Sequence, residues 1–457
     1  MGASMNIQAI NLEAAEPSIR DASAQIQSHY NTASTHLPGA QSATVRALRD
    51  EAIAGFAARG LPHRRVEEWK YTDLRNAMPQ AFQPAPLVVA ALSDGNFHGA
   101  VGPLAAIGGF KMVFVNGRLN RQLSSFNGLP GAVELLNLAE ALESPPDWLF
   151  AALSQAKPRE GDVVTLLNTA FASDGVVLRL GKSANAEQPV HLIHIATAEM
   201  PVSVALRNVL ILEEGAEASV IETYVSQGQV PAQINSATEI ALGEGSRLRH
   251  FTIAAENTQT QHLATTQVRL AAKADYLGVQ FAVGGSLSRL QTFMTFEGEA
   301  ARAHFSGCQL MRGRQHCDMT LVIDHAAVGC ESREHVKVVL DGHARGVFQA
   351  KAIVRAGAQK TDGRQMAQSL LLSETAEFDA KPELEIYADD VKCNHGATCG
   401  AIDDDLLFYL RARGIPEDEA KALLIQAFIG EILDRVEDEG LRQALEAKAA
   451  AWLTLRG

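Results

Sequence analysis

Cysteine is scarce and confined to one end: Cys308, Cys317, Cys330, Cys393 and Cys399, with none in the first 307 positions. The number is odd and no Cys-x-x-Cys occurs, which speaks against a disulfide framework or a zinc ribbon and for a reducing, cytoplasmic setting. A surplus of positive charge is also missing. The 40 Lys and Arg against 53 Asp and Glu leave a formal net charge of −13, whereas nucleic acid or an anionic membrane would demand a basic face. No run of 18 apolar residues occurs, so no membrane-spanning helix is expected. Met1–Arg20 has no basic stretch ahead of an apolar one and does not read as a secretory signal. The Met-Gly start is followed by Asn6, which spoils the myristoylation pattern. A P-loop, a strand–Gly-x-Gly-x-x-Gly–helix unit and a Gly-x-Ser-x-Gly elbow are all lacking. The chain is therefore not expected to hydrolyse ATP alone or to be a serine hydrolase.

What is present is a 457-residue chain with a hydrophobic fraction of 47%, enough for two or three domains with filled cores. Three textures divide it, at 1–160, 161–400 and 401–457. The first is Ala-rich and mixed, with helical stretches at Thr44–Arg59 and Ala132–Leu142 and a Pro-punctuated end at Pro145, Pro146 and Pro158. From about Val163 to Ala388 short runs alternate with period 2, as in Val202–Leu206, Leu248–Ile253 and Val336–Leu340, and read as strands.

These strands recur. Apolar pairs at Leu210/Leu212, Ile240/Leu242, Val268/Leu270 and Met294/Phe296 each precede a small polar turn, such as Glu213–Ala216, Gly243–Ser246 or Ala271–Ala274. Their second members are 30, 28 and 26 residues apart (242−212, 270−242, 296−270). Ile323, Val338 with Leu340, and Leu370 with Leu372 continue the motif less regularly. A repeat of this period implies stacked coils, each burying its apolar face on the next. A β-solenoid is favoured over a two-sheet sandwich, which needs no such repeat.

After Gly400 the pattern turns helical. Asp403–Asp405 opens one helix that stops at Gly414, Pro416 with three acids opens a second, and a third runs from about Leu441 to Leu455.

At the junction stands Asp389-Asp-Val-Lys-Cys-Asn-His-Gly-Ala-Thr-Cys-Gly400. If Val391–His395 is extended, Cys393 and His395 point to one side and Asn394 to the other. A thiol beside an imidazole suits iron or zinc. Lys392 would lower the thiol pKa if its ammonium folds back, and Gly396 and Gly400 would release the backbone beyond. Two ligands do not complete a tetrahedral site, so the rest must come from elsewhere in the fold, another chain or the cargo. The bland alternative is a packed cysteine beside a turn-capping histidine.

The stretch from Gly363 to about Leu433 resembles the C-terminal signature of the SufB/SufD family of iron–sulfur cluster assembly scaffolds. The pieces are Leu370–Ser373, Pro382–Ile386, Ala388–Cys393 with His395-Gly-Ala-Thr398, Leu407–Ile415, and Ala427, Phe428 and Glu431. Glu67-Glu-Trp-Lys-Tyr-Thr72 also looks like a family element, and His-Gly-Ala-Thr resembles the SufD branch. The resemblance implies a mainly β fold: a central right-handed parallel β-helix flanked by helical domains. It implies a SufB-like paralogue as partner, a SufC-like ABC ATPase on the C-terminal helices, and Cys393 and His395 at the interface where a transient cluster or iron is shared. It implies no catalysis by the chain itself and no tightly bound cofactor in isolation, where a homodimer is a further expectation. At Cys399 the family usually has an apolar residue, so no ligand role is carried onto it, although it is close enough to Cys393 to compete for metal.

Other candidates read as structural. His191 and His194 lie three apart in a strand and face opposite sides. His304, His316, His325, His335 and His343 cluster with Cys308, Cys317 and Cys330 but form no tight ligand pair. Asp324-His325 has no nucleophile to complete a triad, and Trp69 with Tyr71 suits an aromatic anchor. The competing function is a β-helix enzyme cleaving an acidic polysaccharide, which the cysteine usage and missing signal count against.

Overall fold

The computed structural model describes residues 22–88, 91–155, 159, 161–197 and 199–454. The readings made on Met1–Arg20, Pro158 and Leu455 lie outside them. Two ten-stranded sheets dominate, and from Val176 onward successive strands alternate between them. Every pairing within that run is parallel, so the chain winds as a β-solenoid and not as a sandwich. The sequence repeat is its register. Leu212 sits beside Leu242, Leu242 beside Leu270 and Leu270 beside Phe296, and the column runs on through His325, Val354 and Ile386. The turns close tightly because Gly215 and Gly245 take φ of 67° and 65°, a region that L side chains rarely adopt. Ile323 stays in that sheet beside Met294, but Leu340 pairs with Met311 and Leu371 in the other sheet. The less regular continuation of the motif had merged two columns.

Alternate residues fill the lumen, and the opposite faces are covered by helices. Ala43–Arg59 and Val163–Phe171 pack on one sheet. Glu417–Leu433 and Glu439–Thr454 pack on the other, where Ile425, Ile429 and Leu445 meet Phe251, Ile253 and Leu310. Lys337 ties this contact, bonding Glu431 at 3.0 Å and lying over Phe428.

Two local expectations are corrected. Val163–Phe171 is a helix: Asp162 caps it through the Thr165 amide, and Val163, Val164, Leu167 and Ala170 make a helical apolar stripe. Ala132–Leu142 is not one helix. Val133–Asn137 alternates buried and exposed and pairs antiparallel to Val176–Leu180, and only then does Asn137 cap the helix Leu138–Glu143. The early residues thus supply sheet as well as helix, since Phe110–Val115 also pairs with Val190–Ala196.

The two ends of the solenoid differ. Both ends of each sheet are edge strands, but Val133–Asn137 and Arg118–Leu119 at the early end bury side chains, whereas Glu377–Ile386 and Lys392–Gly400 at the late end fully bury none. Among the described residues no helix is long and apolar enough to cross a membrane.

Candidate metal-handling site at the open end

Lys392–Gly400 is the last strand of its sheet and runs parallel to Asp362–Leu371, with Gly363 beside Cys393, Gln365 beside His395 and Ser369 beside Cys399. Ala367 belongs to the lumen core. Its strand mates at odd positions therefore face inward, and so do Cys393, His395, Ala397 and Cys399. The extended backbone brings thiol and imidazole to one side. It also continues through Gly396 to Gly400, so the expected release of the chain beyond His395 does not occur. Gly396 serves contact instead: a Cβ there would stand 3.0 Å from Met366 Cε.

Cys393 is half-buried against Val354, Ala358 and Ala388. Burial pushes its thiol pKa up, with Asp362 and Glu334 adding to the rise and the Gly363 amide opposing it. The depression expected from Lys392 is thus overturned, because Lys392 is on the opposite face of the strand. His395 and Cys399 are exposed. Among the described residues no group of three or more His, Cys, Asp or Glu side chains is arranged to hold a metal ion. Cys393 and His395 share the inward face of an edge strand, with His395 exposed.

The remaining candidates form no ligand set among the described residues, although His325 Nε2 and Cys393 Sγ both lie within 4.0 Å of the position a Cβ would take at Gly363. His191 bonds Thr223 at 2.9 Å, while His194 points into the lumen and stacks between Phe114 and Tyr224. His316 bonds Thr72 at 2.9 Å, and His335 approaches Gln368 at 3.2 Å. His325 stacks on Phe296 and bonds Ser332 at 3.1 Å. Asp324 pairs with Arg355 at 2.8 Å. Cys308 lies under the C-terminal helices, and Cys317 and Cys330 belong to the lumen core.

Comparison with known proteins decides the family. Residues 194–428 match the SufBD core domain of the SUF system for FeS cluster assembly, and residues 20–192 match the SufBD protein N-terminal region. The chain belongs to the SufBD family. It is 32% identical over 392 residues to the iron–sulfur cluster assembly protein SufD of Escherichia coli, covering 85% of this chain and 88% of that protein. A SufBD family protein of Synechocystis is 33% identical over 390 residues, with 82% and 84% covered. SufD of Bacillus subtilis is 26% identical over 290 residues, with 62% and 65% covered.

The SufBD signature elements fall at distinct places. Glu67–Thr72 is an anchor: Trp69 is buried, with the Arg289 guanidinium 3.8 Å from its ring centroid, and Arg289 and Thr72 both bond Asp318 at 2.5 Å. Leu407–Ile415 overlaps the helix Asp404–Arg411, which buries none of its side chains and leaves Leu406, Phe408 and Tyr409 exposed.

Sequence reasoning missed the polar lumen. Glu222, fully buried, accepts hydrogen bonds from Tyr224 and Thr238 and pairs with His250 at 2.8 Å. Burial alone would raise its pKa, but His250 and the hydroxyls bring it down to about 2. Nearer the open end, Glu334 and Gln365 also face inward and are buried. Burial pushes the Glu334 carboxyl up to about 8, with Ser332 and Gln365 pulling it back. The only sequence signal was a polar residue at an inward position of the repeat, Ser332 and Glu334 ahead of Val336 and Val338.

Proposed function

We propose that this SufBD family chain is a non-enzymatic scaffold subunit for iron–sulfur cluster assembly, handling the cluster as cargo through His395 and Cys393. The observation that supports this reading is the final coil, whose edge strand carries Cys393 and His395 on one face, with no group of three ligands arranged for a metal among the described residues. Such a half-site is completed by a partner, and a SufB-like paralogue with a similar coil end is the partner this edge fits. Unpaired strand edges invite pairing, which would also let two copies of this chain pair when the paralogue is absent. Exposed Leu406, Phe408, Tyr409 and Leu423 near the C-terminus suit the docking of a SufC-like ABC ATPase. The cysteine usage and net charge favour a cytoplasmic complex without nucleic acid or membrane as partner. Membership in the SufBD family weighs against the polysaccharide-cleaving alternative.

The test is reconstitution of the chain with the paralogue and ATPase, supplied with ferrous iron and sulfide under reducing conditions. Bound iron and sulfide should be well above those of the paralogue and ATPase alone. Equal yields with and without this chain would sink the proposal.

A further inference from the structure

Three inward-facing side chains follow one another across the last three strands of one sheet: Glu334, Gln365 and His395, in register. Adjacent strands lie about 4.8 Å apart, so each of these long side chains can reach the next with one hydrogen bond. Glu334 and Gln365 are each 2% exposed. Neither carboxyl oxygen of Glu334 and neither amide atom of Gln365 meets a partner in good hydrogen-bond geometry, although Ser332 and Gln365 lie close enough to the carboxyl to lower its pKa. Native interiors rarely leave such groups unmet, because each has given up water for nothing. The neighbouring Ser332 hydroxyl is already engaged with His325. What stands at the head of the line is the exposed imidazole of His395.

We infer that Gln365, backed by Glu334, is the positioning group for His395 when a partner closes the open end. The inference rests on the reading of His395 as a cargo ligand. In the closed state one ring N–H of His395 donates to Gln365 Oε1, and Gln365 Nε2–H donates to a Glu334 carboxyl oxygen. The other ring nitrogen then keeps its lone pair directed at the shared site. A neutral imidazole ligates through one nitrogen, and the bond made by the other fixes the tautomer and aims the ring. Gln365 suits this place because its amide offers an acceptor to the histidine and donors to the acid at once. Each residue also sits at the one register position where the next can meet it.

The experiment uses the full chain reconstituted with the paralogue and ATPase, titrated with Co²⁺ and read by the visible absorption of the bound ion. His395→Ala sets the floor. Gln365→Met keeps the volume and removes the amide, and it should weaken Co²⁺ binding by about 10-fold or more, as loss of an outer-shell partner does. Glu334→Leu should weaken it too, whereas Glu334→Gln, whose carboxamide oxygen still accepts from Gln365, should bind close to wild type. Wild-type affinity in Gln365→Met overturns the inference. Equal damage from Glu334→Gln and Glu334→Leu also overturns it, since packing alone would then explain both. If His395→Ala itself leaves Co²⁺ binding unchanged, the assignment of the ligand has failed before the positioning role is reached, and the two failures are told apart.

Discussion

Four histidines, His191, His194, His316 and His325, are held neutral by burial, which brings them down to about 3 for the first and about 4 for the others. The unfolded chain takes up protons on these groups below about pH 6.5, and the folded chain does not until near pH 4, or near 3 for His191. Their contribution is therefore complete above pH 6.5 and lost as pH falls towards 4. Glu334 acts in the opposite sense. Its folded carboxyl keeps its proton up to about pH 8, so its contribution is complete below the ordinary carboxyl range and lost as pH rises to 8. Glu334→Gln should raise the thermal midpoint relative to wild type by an amount that grows from pH 5 to pH 8. A difference independent of pH would show that Glu334 is not held protonated. At this scale the shared side of Cys393 and His395 was legible in the sequence, because strand period alone puts positions 393 and 395 on one side. It hid Glu334 and Gln365, because a polar residue in an alternating run reads as outward-facing until the register of the lumen is known.

The repeating coil was the most legible element, since stacking in register requires the same apolar position every 26 to 30 residues and the sequence carries that mark. The helix Val163–Phe171 was not, as a short apolar run fits either period and its Asp162 cap was the deciding clue. Two elements outside the coils carry separable predictions. Glu67–Trp69 fastens the early residues to the solenoid through Trp69, Arg289 and Asp318. Trp69→Ala should cost about 3–5 kcal/mol in a denaturant titration, and a loss below about 1 kcal/mol would show that the anchor lies elsewhere. The helix Asp404–Arg411 fully buries none of its side chains and Phe408 points to solvent, so Phe408→Glu should leave stability within about 0.5 kcal/mol of wild type. The same change should abolish capture of the ABC ATPase in a pulldown. Undiminished capture would move that contact off this helix.

As a whole, the molecule is a stack of coils whose early end is packed under buried side chains and whose late end is left exposed. An open stack exposes main-chain donors and acceptors together with apolar Ile386 and Tyr387, a liability unless a partner covers it. The texture of the sequence disclosed the stack and its flanking helices. It could not disclose which end is capped, because capping depends on Val133–Asn137 and Phe110–Val115 pairing with strands far along the chain. The proposed chemistry lies at the open end, and comparing two histidines in the reconstituted complex tests this most directly. His395 is exposed at the mouth, whereas His325 is buried in the coils. Bound iron and sulfide should fall sharply in His395→Ala, with folding and assembly intact, and should be retained per folded complex in His325→Ala. Normal yield in His395→Ala together with its loss in His325→Ala would contradict the account and move the chemistry inside the solenoid.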